Sequence, residues 1–278
     1  MKSNLTLRGN VLHGNPHTRF EDRQKAIDKA NKEGIDYGVV RTVQQAYPSH
    51  IPAVRHHIHQ FSSCRACRLG CNPFVQNKVF YRGYVPCDVL FVGEAPGVNE
   101  DAQVRPFIGN GGKVLDGIIT EVSRRLTENT AELALSTLAR DNAFRWCITN
   151  SVLCTPFDSS AESGIRIPAS DEVKACSSRL YTFIHICAPA VIVPMGMVAE
   201  RAMRNFTVRH LKPNDPPLEE LDSKITFNPG SEPHEGFSPI IRSIPHPDWM
   251  IRQKDFDLVK KKAVLVLVET LRPLFQGT

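Results

Sequence analysis

CDVLFVGEAPGVNEDAQVRPFIGNGG, running from Cys87 to Gly112, passes from an apolar strand into a loop that concentrates glycine, carboxylate and aromatic residues. In α/β folds the end of such a strand is where active sites are built. Gly93, Pro96 and Gly97 punctuate the strand exit and let backbone approach a ligand closely. Glu94, Glu100 and Asp101 offer carboxylates, and Phe107 offers a flat apolar face. This combination suits a loop that grips a planar polar ring.

Outward from that loop the pattern alternates. A helix is predicted from about Gly112 to Arg125, a strand over FRWCITNSVLC (144–154), and a helix from about Ser170 to Ile186. A strand over AVIVPMG (190–196) and a helix over MVAERAMR (197–204) follow. Such alternation implies a mainly parallel sheet covered by helices. Residues 205–240, rich in Pro, Asn, Asp and Glu, carry neither period and read as a long surface excursion. PIIRSIPHP then supplies a short strand, and KDFDLVKKKAVLVLVETLRPLF a closing amphipathic helix. Residues 1–60, with the helix-prone FEDRQKAIDKANKEG and HIPAVRHHIHQF, are assigned to an N-terminal helical extension, and 61–278 to the main domain.

The chain has 278 residues, a net charge of +5 and eight cysteines. No apolar run reaches the ~20 residues that span a bilayer, and MKSNLTLRGN lacks the apolar core of a secretory signal, so a cytoplasmic, non-membrane protein is expected. The charge permits a nucleic-acid partner without requiring one. In a reducing compartment eight cysteines point to metal ligation or core thiols rather than to disulfides. Cys64 and Cys67 form a CxxC, with Cys154 and Cys176 far downstream. Four thiolates suit either zinc or an iron–sulfur cluster, and spacing leaves both open, beside the alternative of buried core thiols. Cys71 is a possible competitor, whereas Cys87, Cys147 and Cys187 fit core positions.

The ordered set CRAC, GEAPGVNED, RPFIGNGG, NSVLC, EVKAC and HPDWMIR, spread from Cys64 to Pro273, resembles the family 4 uracil-DNA glycosylases. The resemblance implies a three-layer α/β/α sandwich with a central, mainly parallel sheet. It also implies a four-iron four-sulfur cluster held by Cys64, Cys67, Cys154 and Cys176, and with it the iron–sulfur choice over zinc. The partner implied is uracil-containing DNA, single- or double-stranded, handled by a monomer.

Uracil excision leaves an anionic base and an oxocarbenium sugar, so both charges need preorganised partners. By resemblance His246 donates to the uracil carbonyl O2, and Asn150 reads the base edge with one donor and one acceptor. Phe107 stacks on the flipped base. Glu100 lies near C5, where a side chain excludes the thymine methyl; a turn-capping carboxylate is the alternative reading. Ala95 stands where family 1 enzymes carry a catalytic aspartate, leaving Glu94 as the candidate for orienting water. Gly93 gives backbone access to the base, and Arg252 is placed on the DNA backbone.

Three departures surround the pocket: Val104 where the family usually has glycine, CTPF after NSVL in place of Cys-Arg-Pro-Pro, and a longer interval from Cys154 to Cys176. They keep two alternatives open, a glycosylase for another deaminated or modified base and a noncatalytic DNA-binding iron–sulfur protein. No Lys-Arg-Arg-Ile-His stretch lies between Val193 and His246, which argues against covalent capture of the abasic sugar.

Overall fold

The computed structural model describes residues 51–128, 143–158, 164–207 and 239–275. FEDRQKAIDKANKEG and most of the 205–240 stretch lie outside them. The elements, in chain order, are α1 (Pro52–Ser62), β1 (Tyr81–Gly83), β2 (Val89–Gly93), α2 (Val98–Gln103), α3 (Asn110–Thr127) and β3 (Trp146–Asn150). Then come α4 (Ser170–Cys187), β4 (Val191–Pro194), α5 (Gly196–Thr207), β5 (Ile240–Ile241), α6 (Pro247–Ile251) and α7 (Phe256–Phe275).

The five strands are ordered β1-β3-β2-β4-β5. β2, β3, β4 and β5 pair in parallel, and β1 adds an antiparallel edge on β3. β2 and β4 are buried along their whole length, which is why their sequences are unbroken apolar runs. Successive side chains point to opposite faces and so feed two separate cores. Leu90, Val92 and Ile192 pack with Val54, Ile58, Leu180 and Ala199 from α1, α4 and α5. Val89, Phe91 and Val193 pack with Leu115, Ile118, Met250, Val264 and Leu267 from α3, α6 and α7. The result is a sheet between two helical layers, the three-layer sandwich.

Several boundaries differ from the sequence reading. The predicted strand 144–154 stops at Asn150, because the Ser151 N–H and hydroxyl both donate to the Gly93 carbonyl, at 2.9 and 2.7 Å, and turn the chain across the end of β2. Val152, Leu153 and Cys154 still enter the core, which explains their strand-like pattern. Residues 205–207 complete α5 rather than beginning the excursion. α1 crosses residue 60, where the sequence divides extension from main domain, and buries Val54 and Ile58.

Candidate active site

The parallel strands end together, and the loops leaving β2, β3, β4 and β5 meet there. Gly93 and Asn150 are register partners at the ends of β2 and β3. A Cβ on Gly93 would lie 2.5 Å from the Phe107 ring and closer still to Asn150 Oδ1. Glycine is therefore required for these two groups to face each other across the strand end. Asn150 is fully buried, yet neither its Oδ1 nor its Nδ2 has a hydrogen-bond partner. A buried amide left unpaired costs roughly 1–3 kcal/mol, so a donor and an acceptor stand ready for a ligand that satisfies both.

Phe107 forms the adjoining wall. Its ring centroid lies 5.8 Å from that of His246, tilted by 39°. Its backbone is left-handed, with φ of 55°, and Val104, which ends α2, is left-handed too, at φ 54°. A β-branched side chain is strained in that conformation, which favours glycine. Burial of Val104 in the core offsets the strain. Gly112 backs the turn so closely that any Cβ would overlap the Phe107 carbonyl.

His246 follows β5 and caps α6. Its Nδ1 accepts from the Asp248 N–H at 3.3 Å, which assigns the ring proton to Nε2. Burial holds its pKa below the usual histidine value; Arg252 acts in the same direction and Asp248 against it. The ring is thus a neutral Nε2–H donor near neutral pH. Gly196, at φ 78°, leaves room for it, as a Cβ there would come within 3.0 Å of His246 Cβ. Asp248, which the sequence reading passed over, also presses on Gly111 and lies 3.7 Å from His246 Nδ1.

The loop carboxylates divide by environment. Glu94 is partly buried; burial raises its pKa, Asp248 adds to the rise, and Arg252 opposes it. Asp101 accepts from the Gln76 and Asn77 N–H groups and anchors the segment before β1. Ala95 packs against the core. Glu100 accepts from Gly97 N–H at 2.6 Å and Ile108 N–H at 3.3 Å, stapling the two arms of the loop. Burial pushes its pKa from an ordinary 4.5 to about 7, against the lowering by its backbone hydrogen bonds.

Between those values the folded chain keeps a proton that the unfolded chain has released, so Glu100 makes stability fall as pH rises from about 4.5 to about 7. Urea unfolding at pH 5 and pH 8 should therefore show a larger loss in wild type than in Glu100→Gln. Equal losses would refute the assignment.

The cysteines form a second assembly beyond the turn that follows Asn150. Cys154 is buried, and burial pushes its pKa up to about 12; the nearby Cys176 and Cys67 reinforce the rise and Lys78 opposes it. Three elements thus bring these thiols within electrostatic reach of one another. The loop bearing Cys64 turns tightly, because Gly70 lies against the Cys64 carbonyl where a Cβ would come within 2.6 Å. α4, which carries Cys176, is fixed at its start by Glu172, which pairs with Arg166 at 2.7 Å and accepts from Ala169 N–H at 2.8 Å. Among the described residues no three ligating side chains converge as tightly as a single ion requires. What bears on a four-thiolate group is that Cys154 lies within electrostatic reach of both Cys67 and Cys176, and that Gly70 lets the Cys64 loop turn tightly. Cys71 is exposed and donates to the Arg65 carbonyl.

A family model described as the uracil DNA glycosylase superfamily matches residues 82–269, more than half of the chain. The chain belongs to the uracil DNA glycosylase superfamily. Within the superfamily it is similar to a type-4 uracil-DNA glycosylase of Sulfurisphaera tokodaii, 39% identical over 134 residues, covering 48% of this chain and 50% of that one. A second, from Saccharolobus solfataricus, is 35% identical over 133 residues, covering 48% and 50%. A third, from Thermotoga maritima, is 32% identical over 136 residues, covering 49% and 58%. The chain spans about half the length of these relatives. The superfamily match takes in Glu94, Phe107, Asn150 and His246, while Cys64 and Cys67 precede it. Among the described residues no helix is long and apolar enough to cross a membrane.

Proposed function

We propose that this protein is a monofunctional DNA glycosylase of the type-4 iron–sulfur group, hydrolysing the N-glycosidic bond of uracil in DNA. The observation that carries the reading is the buried, unpartnered Asn150 amide facing the Phe107 ring across Gly93. Uracil presents an acceptor beside a donor on one edge, the complement of a single amide group. The chain's similarity to type-4 uracil-DNA glycosylases is in keeping with it.

A base inside a duplex cannot reach a buried amide, so the nucleotide is extruded, or taken from a single strand, at a cost of a few kcal/mol. Phe107 recovers part of that by stacking, worth roughly 1–3 kcal/mol. As the glycosidic bond lengthens, negative charge grows on O2, and the neutral His246 donates its Nε2–H there. Glu94, raised in pKa but set against Arg252, is the group positioned to orient water at the sugar; a dissociative reaction asks little of it. Arg252 and the exposed Trp249 and Ile251 form the rim that would meet DNA. Glu100 shapes the pocket by holding Ile108 and Gly97 together, which limits room beside Phe107. When bound, a four-iron four-sulfur cluster would tie the segment after α1 to the turn after β3 and to α4 through Cys64, Cys67, Cys154 and Cys176.

The test is uracil release from single-stranded and duplex oligonucleotides by anaerobically purified protein, beside an Asn150→Ala, His246→Ala double variant. Scission after alkali with wild type alone is expected. No release by wild type that retains its iron would sink the uracil reading, and hypoxanthine or oxidised pyrimidines would be tried next. Cys154→Ser should lower bound iron, visible absorption and Tm together, since a structural metal site contributes directly to folding. Unchanged iron content would remove Cys154 from the ligand set.

A further inference from the structure

Arg179 is among the largest fully buried side chains, at 1% exposure, on the inner face of α4. Its hydrogen bonds go to Thr149 Oγ1 at 3.2 Å, the Asn150 carbonyl at 2.6 Å and the Ser151 carbonyl at 3.0 Å. The same nitrogen that holds both carbonyls lies 3.9 Å from Cys176 Sγ. Among the described residues none of these partners is a carboxylate, and Nε has no partner. The nearby His57 is buried and held neutral, burial pushing its pKa down to about 3 with Arg179 assisting. A guanidinium in this setting lacks the counter-charge that buried cations require.

A second buried cation, Lys78 at 8% exposure, stands beside Cys154 in the same assembly. Two cations without described carboxylate partners therefore flank two of the four thiols. A cluster held by four thiolates is a net anion, and its potential responds to nearby charge and to hydrogen bonds on sulfur.

We propose that Arg179 is a positioning residue with two tasks: it supplies counter-charge to the thiolate of Cys176, and it fixes the Asn150–Ser151 backbone so that the Asn150 amide faces the base. This rests on the iron–sulfur glycosylase reading above. One guanidinium is suited to both, since its fork reaches two carbonyls and a sulfur together, whereas an ammonium acts as a point charge. The link runs from metal ligand to base reader through a single side chain.

The two tasks separate in two variants of the full chain. Arg179→Met, which keeps the volume and removes the charge, should lower bound iron and shift the potential of the remaining cluster to more negative values. It should also reduce the uracil-release rate about tenfold to a hundredfold, with little change in DNA affinity. Arg179→Lys should keep the potential near that of wild type while the release rate stays depressed, because one ammonium cannot hold both carbonyls. Potential is read by anaerobic dye titration of the visible band, a quantity that a merely destabilising substitution does not move.

A wild-type potential in Arg179→Met, or full release in Arg179→Lys, overturns the proposal. If Arg179→Met yields no folded protein, Arg179→Lys decides alone by the split between potential and release. Wild type that takes up no iron on anaerobic reconstitution would sink the four-thiolate reading itself, and the role of Arg179 with it. That result is visible before any variant is compared.

Discussion

His246→Ala should lower kcat/KM for uracil release by about 10²- to 10³-fold, the usual cost of removing one donor to a developing oxyanion, on the order of 3–4 kcal/mol. The size follows from what the ring is and where it sits. Its Nδ1 accepts from the Asp248 N–H, and burial depresses its pKa, so the Nε2 proton is present and the ring carries no charge. A neutral donor gains most as charge appears on O2, so the loss belongs to the chemical step and the KM should change little. The His246 side chain keeps 22% of its surface exposed and carries no strand pairing, so the variant should fold, with Tm lowered modestly by the lost α6 cap, a loss of about 0.5–2 kcal/mol. Single-turnover release separates the chemical step from product release. A loss below about fivefold would remove His246 from the chemistry.

Gly93→Ala should be nearly as damaging for a different reason. The added methyl would enter the space between the Phe107 ring and the Asn150 amide, where a base edge would sit. Neither neighbour has room to give. Asn150 is held through its carbonyl by Arg179 and through register by Gly93 itself. Phe107 is fixed by its left-handed backbone and by Gly112 behind it. The substitution should cut release by roughly a hundredfold or more and also cost about 1–3 kcal/mol of stability, as overpacking does. Titration with a uracil-containing single strand should show weakened binding, which His246→Ala should not. Near-normal binding and release by Gly93→Ala would mean the base sits elsewhere.

What was legible in the sequence depended on whether a residue's neighbours lie close along the chain. CDVLFV read as a strand because both its faces are covered, leaving nothing polar to confuse the pattern. The glycine-rich exit stood out because Gly93 has no room for a Cβ between the Asn150 amide and the Phe107 ring. Ser151 to Cys154 misled, since their apolar pattern serves core packing after a turn made by one hydroxyl reaching the Gly93 carbonyl. Glu100 offered two readings from sequence, and in the structure both carboxylate oxygens hold loop backbone. Asp248 was hidden inside a quoted motif, because its contacts to Gly111 and His246 depend on α6 docking against α3. Arg179 gave no signal at all. A lone arginine in an amphipathic helix reads as a solvated charge, and only the arrival of β3 beneath it reveals a buried one.

The sheet order also dictates when the site comes into being. β2 and β3 sit side by side, yet β4 and β5 are added outward on the far side of β2, and His246 follows the outermost strand. A chain leaving the ribosome folds from its N-terminal end as residues become available. Gly93, Phe107 and Asn150 emerge early, and all four proposed thiolate ligands are out by Cys176, whereas the proposed oxyanion donor, His246, appears only after β5. On the proposed reading, iron capture would precede a complete pocket during synthesis, and the growing chain would be built around its metal before it could cut a base from DNA.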